Sequence, residues 1–220
     1  MTTLLLVRHG LTALTGPTLA GRTPGISLDE RGRAQAAALA DRLRPVPLAA
    51  IVSSPLERCL ETARAIAAHR DHAGVPLEVE TDDRLLEVDY GTWTGGEIRR
   101  LAKEPLWRVV QAHASAAAFP GGESLRAMSA RAVEAVRDVN GRLGPDATWL
   151  ACTHGDVIKA IVADALGLHL DGFQHIGADP CSLTVIRYAE AGTFVVRTND
   201  VGGSVTDLVP GPGRRRGRRP

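Results

Sequence analysis

The sequence predicts a three-layer α/β/α domain: a mixed, mostly parallel sheet with helices on both faces and a short helical cap. Three observations predict it. Short apolar runs alternate with stretches of helical periodicity. Two of these runs end in a histidine-glycine pair, His9-Gly10 and His154-Gly155. A segment over residues 95–124, bounded by glycines and closed by Pro120-Gly121-Gly122, interrupts the alternation and marks the cap.

The elements follow in order. Leu4 to Val7 reads as a buried strand that stops at Arg8, and a Gly/Pro/Thr-rich loop continues to Ile26. Asp29 to Arg44 is helical, with Ala34, Ala37, Ala38 and Leu39 inward, and Pro45 and Pro47 stop it. Leu48 to Val52 is the second strand. Ser54 as N-cap, Pro55 at the first helical position and Glu57 three residues on form a capping box, which puts Arg58 in a first helical turn. Leu77 to Glu80 is a weaker strand. Ile98 to Ala118 is helical with a break at Pro105, and Glu123-Ser124 opens a helix to Arg142. Trp149 to Cys152 is a strand, Asp156 to Leu166 a helix, and Ser182–Arg187 with Thr193–Arg197 a closing hairpin.

Composition narrows the function classes. The 220 residues suit one domain over residues 1–208, and 44% hydrophobic residues with only 4% aromatics imply an aliphatic core. A net charge of +1 argues against strong attraction to nucleic acid or membrane. That balance hides an asymmetry: Arg214, Arg215, Arg216, Arg218 and Arg219 crowd a tail, residues 209–220, that reads as disordered and leaves the rest net acidic. Cys59, Cys152 and Cys181 have neither zinc nor disulfide spacing and read as buried thiols of a cytoplasmic protein. No run is long enough to span a bilayer, and Leu4–Val7 is too short for a signal segment.

The two His-Gly pairs suggest one pocket at the C-terminal lip of the sheet, where open α/β sheets bind ligands. Arg8 and Arg58 can each present a planar fork to phosphate oxygens, and the helix start at Gly155 can add backbone donors. His9 and His154 are the candidates for nucleophile and stabiliser, and neighbouring arginines favour the neutral imidazole that attack on phosphorus requires. Glu87, ahead of Tyr90-Gly91, is the candidate proton donor to the leaving oxygen. A cation at a helix N-terminus is unfavourable, so Arg58 reads as awaiting an anion.

In these residues the chain resembles the histidine phosphatase superfamily, which includes cofactor-dependent phosphoglycerate mutases and many small phosphatases. Five blocks appear in the family's order: Arg8-His9-Gly10-Leu11-Thr12; Ser53-Ser54-Pro55-Leu56-Glu57-Arg58 with Thr62-Ala63; Glu87 with Tyr90-Gly91; Pro120 to Ser124; and His154-Gly155. The resemblance implies that His9 becomes phosphohistidine. It implies that Arg8, Arg58 and His154 hold the phosphoryl group, and that Glu87 protonates the leaving group and then activates water. It extends the phosphate-binding set to Thr12, Thr15, Gly21, Arg22 and Gly155, and implies neither metal nor cofactor. Leu11 stands where the family often has Glu or Gln, and Thr15 where an asparagine is common. The mutase hallmark is replaced by Glu87-Val88-Asp89-Tyr90-Gly91, and the cap is short. A phosphatase of a small phosphorylated metabolite is therefore expected. A phosphomutase is the alternative, and a silent phospho-ligand binder ranks third. A homodimer is compatible with the sequence. Arg22, Arg99, Arg100, Trp107 and Arg108 are possible substrate contacts in the loop and cap.

Overall fold

The computed structural model describes residues 1–68, 70–72, 75–203, 205, 206 and 209. The basic tail expected from the sequence lies outside the described residues but for residue 209. Eight strands and six helices are seen among the described residues. In chain order the first are β1 (Thr2–Arg8), α1 (Glu30–Leu43), β2 (Ala50–Ser53) and α2 (Glu57–Ala67). A two-stranded ribbon, β3 (Asp71–His72) with β4 (Val75–Pro76), and β5 (Val79–Thr81) follow. Next come α3 (Ile98–Leu101), α4 (Pro105–Ala112) and α5 (Leu125–Leu143), and the chain closes with β6 (Thr148–Thr153), α6 (Gly155–Ala165), β7 (Leu183–Ala189) and β8 (Gly192–Asp200).

Six strands form one sheet in the order β5-β2-β6-β1-β7-β8. The first four run parallel, and β7 and β8 add antiparallel at one edge, as a mixed sheet was expected to do. The Leu4–Val7 run is apolar throughout because both of its faces are covered. Leu4 and Leu6 join the cluster under α5, α6 and the cap, while Leu5 and Val7 join the cluster under α1 and α2. Most of the packed side chains are aliphatic, and Trp149, fully buried, satisfies its indole by donating to Asn140 Oδ1 at 2.8 Å.

The register between β1 and β6 positions the site. Arg8 sits opposite Thr153, so each strand runs out of the sheet at its own histidine, side by side. The backbone then holds His9 from three sides. His9 N–H donates to Thr153 O at 3.0 Å, Gly10 N–H to Thr62 Oγ1 at 3.1 Å, and Cys181 N–H to Arg8 O at 3.0 Å. Beyond it the loop lies backbone-to-backbone on the first turn of α1. Asp29, the N-cap, accepts from Gly32 N–H at 2.7 Å and donates its own N–H to Leu11 O at 3.0 Å.

This close approach needs glycine at position 32, where a Cβ would lie 2.0 Å from the Leu11 carbonyl oxygen. Gly to Ala within a helix ordinarily stabilises by about 1 kcal/mol. Here the overlap reverses the sign, and Gly32→Ala is expected to destabilise by on the order of 2 kcal/mol, lowering Tm by several degrees. A Tm equal to or above that of the parent would show that the loop carrying His9 is free to yield.

Three sequence expectations are corrected. Of the α1 residues expected inward only Leu39 is buried; Ala34, Ala37 and Ala38 are exposed, and Gly32, Ala36, Leu39 and Leu43 form the inner face. The capping box does not form: Leu56 occupies the N-cap position of α2 and no side chain caps it. The Ser54 hydroxyl meets His154 Nε2 at 2.8 Å instead, so a tertiary hydrogen bond wins over the local cap. The cap helix expected over 98–118 breaks before Pro105 as expected, into α3 and α4, but it ends at Ala112 and not at Ala118. Ala118 bridges to Ser124, which caps α5 by accepting from Ala127 N–H at 3.0 Å.

Candidate active site

A cavity of about 630 Å³ opens at the C-terminal ends of β1 and β6, beneath the cap. Arg8, His9, Arg58, Glu87, Gly155 and Asp156 form its polar floor. Thr12, Thr15 and Gly21 line it from the β1–α1 loop.

The tautomer of His9 follows from its partner. Nδ1 lies 2.8 Å from the Gly10 carbonyl oxygen, which can only accept, so Nδ1 carries the proton. Burial, then the Arg58 and Arg8 guanidinium groups, push the imidazole down to about 3. The ring is therefore neutral at physiological pH, with the Nε2 lone pair free to act as a nucleophile.

The two arginines are only partly satisfied. Arg8 Nη1 donates to Ala178 O at 2.7 Å and Arg58 Nη2 to Gly21 O at 2.6 Å. Arg8 Nε and Arg58 Nη1 are buried and have no hydrogen-bond partner among the described residues. Two buried, unpartnered guanidinium donors converging on one cavity are unfavourable unless an oxyanion accepts from them. The N-terminus of α6, at Gly155, adds its dipole from the same side.

His154 does not line the cavity. It is fully buried behind His9, ring edge to ring at 5.3 Å. Arg58 Nη2 lies 3.4 Å from His154 Nδ1 and can only donate, so Nε2–H donates to Ser54 Oγ. Burial, then Arg58, hold this imidazole well below its usual range. In this arrangement His154 contacts Arg58 and His9 and does not itself line the cavity.

Thr12 and Thr15 bond chiefly to each other: their hydroxyls are 3.0 Å apart, and Thr12 N–H donates to Thr15 Oγ1 at 3.0 Å. Arg22 does not enter the cavity. Its Nε donates to the Glu87 carbonyl oxygen at 2.8 Å and its Nη2 pairs with Glu123 at 2.8 Å. Arg99, Arg100 and Arg108 are exposed and do not line the cavity, and only Trp107 of the suggested cap contacts does.

Glu87 is half-buried at the floor, with burial and then the Asp156 carboxylate pushing it up to about 7. The acid form is thus abundant near neutrality, which a proton donor requires. Its loop is clamped from behind. Arg131 donates to the carbonyl oxygens of Arg84, Leu86 and Glu87 at 2.6, 2.7 and 3.1 Å, and Glu123 pairs with both Arg131 and Arg22. Sequence reasoning missed Arg131. The available signal was an arginine on the apolar stripe of α5, three residues after the buried Met128. Tyr90, which the sequence shows only as a motif residue, donates its hydroxyl to Asp156 Oδ2 at 2.8 Å, and Lys159, which sequence reasoning missed, bridges Asp156 and Gln174 at 3.3 and 2.9 Å.

An α/β sheet whose lip presents a neutral imidazole, two converging arginines and a carboxyl that holds its proton well above the usual carboxylate range is a phosphatase architecture. The chain belongs to the histidine phosphatase superfamily (branch 1), whose sequence profile matches residues 4–201. It is 33% identical over 205 residues to phosphoserine phosphatase 1 of Hydrogenobacter thermophilus, covering 90% of this chain and 92% of that one. It is 31% identical over 181 residues to glucosyl-3-phosphoglycerate phosphatase of Mycolicibacterium vanbaalenii, covering 79% and 78%. Among solved structures it is similar to Bacillus stearothermophilus YhfR, with a TM-score of 0.82 at 30% identity, covering 92% of this chain and 98% of that one. These named relatives include small-metabolite phosphatases of the same family. No helix among the described residues is long and apolar enough to cross a membrane.

Proposed function

We propose that this chain hydrolyses a small phosphomonoester through a phosphohistidine on His9. The observation that supports this most directly is the pairing of a neutral Nε2 with two buried, unpartnered arginine donors at one cavity floor. Arg8 Nε and Arg58 Nη1 take up the equatorial phosphoryl oxygens, aided by the α6 N-terminus at Gly155 and by Thr12, Thr15 and the Gly21 turn. Positioning and charge stabilisation then supply most of the rate. The His9 Nε2 lone pair forms the bond to phosphorus as the ester P–O bond breaks, and the Glu87 proton goes to the leaving alkoxide. Nδ1–H stays on Gly10 O throughout. In the second half Glu87, now a carboxylate, takes a proton from water. That water forms the new P–O bond, the N–P bond breaks, and Glu87 is again the acid. His154 and Arg131 are positioning residues, the first for Arg58 and His9, the second for Glu87. The three buried free cysteines support a cytoplasmic site of action.

The test is rapid acid and alkali quenching of enzyme turning over a ³²P-labelled phosphomonoester in excess chelator. Label that reaches one phosphoryl group per chain, is lost in acid and persists in alkali, with steady phosphate release, is the expected result. Label without release of phosphate would instead identify a mutase. Turnover with no trapped label would exclude the covalent route.

A further inference from the structure

The outer half of the cavity differs sharply from its floor. An aromatic ladder runs from the floor to the rim. Tyr90, tied to Asp156, meets Phe119 edge-on at 4.9 Å. Phe119 meets Trp93 at 5.5 Å, and Trp93 stacks on Trp107 at 6.2 Å with 23° between the rings. Leu14, Leu19 and Val110 face the same space.

Among the described residues, the cations that a second anionic group would need are elsewhere. Arg99, Arg100 and Arg108 are exposed and do not line the cavity. Arg22 and Arg131 are bound to Glu123 and the Glu87 loop. Lys159 does line the cavity, but Asp156 neutralises it and Gln174 holds it. Asp179, also on the wall, adds a negative charge. A substrate carboxylate placed here would lose water without gaining a free guanidinium, whereas a flat apolar body would bury its surface on the ladder.

Resting on the phosphatase reading above, we propose that the leaving-group subsite takes an uncharged alcohol bearing an aromatic or other flat apolar body. This sets the chain apart from a phosphatase of small charged metabolites such as phosphoserine. Trp107 and Trp93 are its specificity-determining residues.

The test compares kcat/KM for three phosphate esters of primary alcohols: 2-phenylethyl phosphate, ethyl phosphate and O-phosphoserine. Leaving-group reactivity gives 2-phenylethyl phosphate no intrinsic advantage over the other two. The expected order places it on the order of tenfold to a hundredfold above both, expressed mainly in KM. In Trp107→Ala the ratio of 2-phenylethyl to ethyl phosphate is expected to fall on the order of tenfold. That ratio is taken within one preparation, so loss of folded protein does not imitate it. Trp107→Phe, which keeps a ring on the ladder, is expected to restore most of the ratio. O-Phosphoserine turned over as well as 2-phenylethyl phosphate, through the same phosphoenzyme, overturns this substrate assignment and leaves the phosphatase intact. A ratio unmoved by Trp107→Ala also overturns it. Failure to hydrolyse any of the three in excess chelator overturns both readings together.

Discussion

His9→Ala is expected to lower phosphate release by at least about 10⁴-fold, the scale on which loss of a covalent nucleophile acts. The size follows from what is left behind. The nearest imidazole, His154, is fully buried with Nε2–H committed to Ser54 and Nδ1 beside Arg58, so it offers no lone pair to the cavity. Water would have to attack in a site whose donors stay in place but whose nucleophile is gone. Because the removed ring is uncharged, Arg8 and Arg58 still hold the anion. Inorganic phosphate or vanadate is expected to bind His9→Ala within a few-fold of the parent. The check is paired: initial-rate phosphate release and acid–alkali trapping of label on one side, anion affinity by calorimetry on the other. Activity within a hundredfold of the parent, or loss of anion binding in step with activity, would remove His9 from the nucleophile's place.

How much of this was legible in sequence depends on the range of each interaction. The strands were legible because Leu4–Val7 and Trp149–Cys152 are buried on both faces and so carry no polar residue. The juxtaposition of His9 and His154 was legible in outline, since both close strands. Only the β1–β6 register shows that they are neighbours, with one facing the cavity and the other behind it. What failed was local logic overruled by distant partners. Ser54 had the residues around it to cap a helix, yet its hydroxyl is worth more to His154, one hundred positions away. Arg22 looked like a phosphate ligand by its place in the loop. Its guanidinium is drawn instead to Glu123 and to the Glu87 carbonyl. Arg131 went unread because its partners are four carbonyl and carboxylate groups in segments that no period or motif connects to α5. The cap arginines were visible as charges but not as directions, and their exposure decides the chemistry of the outer cavity.

Glu87→Gln is expected to lower kcat/KM for an alkyl phosphate by about 10²- to 10⁴-fold at neutral pH and to erase the alkaline limb of its pH profile. In the parent, the first half-reaction needs the protonated carboxyl. Burial and Asp156 hold that proton up to about 7, so kcat/KM is expected to fall by one proton as pH rises through that value. No acid limb from His9 interferes, because its imidazole stays neutral down to about 3; any fall near pH 6 belongs to the second ionisation of the phosphate ester. Stability gives an independent reading of the same group. Its folded value lies above the 4.5 of the unfolded chain, so its contribution is complete below 4.5 and is lost as pH rises through about 7. The Tm of Glu87→Gln relative to the parent is therefore expected to improve from pH 5 to pH 8. The leaving group separates the two roles of the carboxyl. A nitrophenolate departs without a proton, so Glu87→Gln is expected to retain most of its kcat/KM for 4-nitrophenyl phosphate while kcat falls. Hydrolysis of the phosphohistidine, which still needs a base, then limits turnover, and phosphoenzyme accumulates as a burst of one nitrophenolate per chain. Equal losses for alkyl and aryl esters, or an alkaline limb that survives the substitution, would assign the proton to another group, and Asp156 would be the next to test.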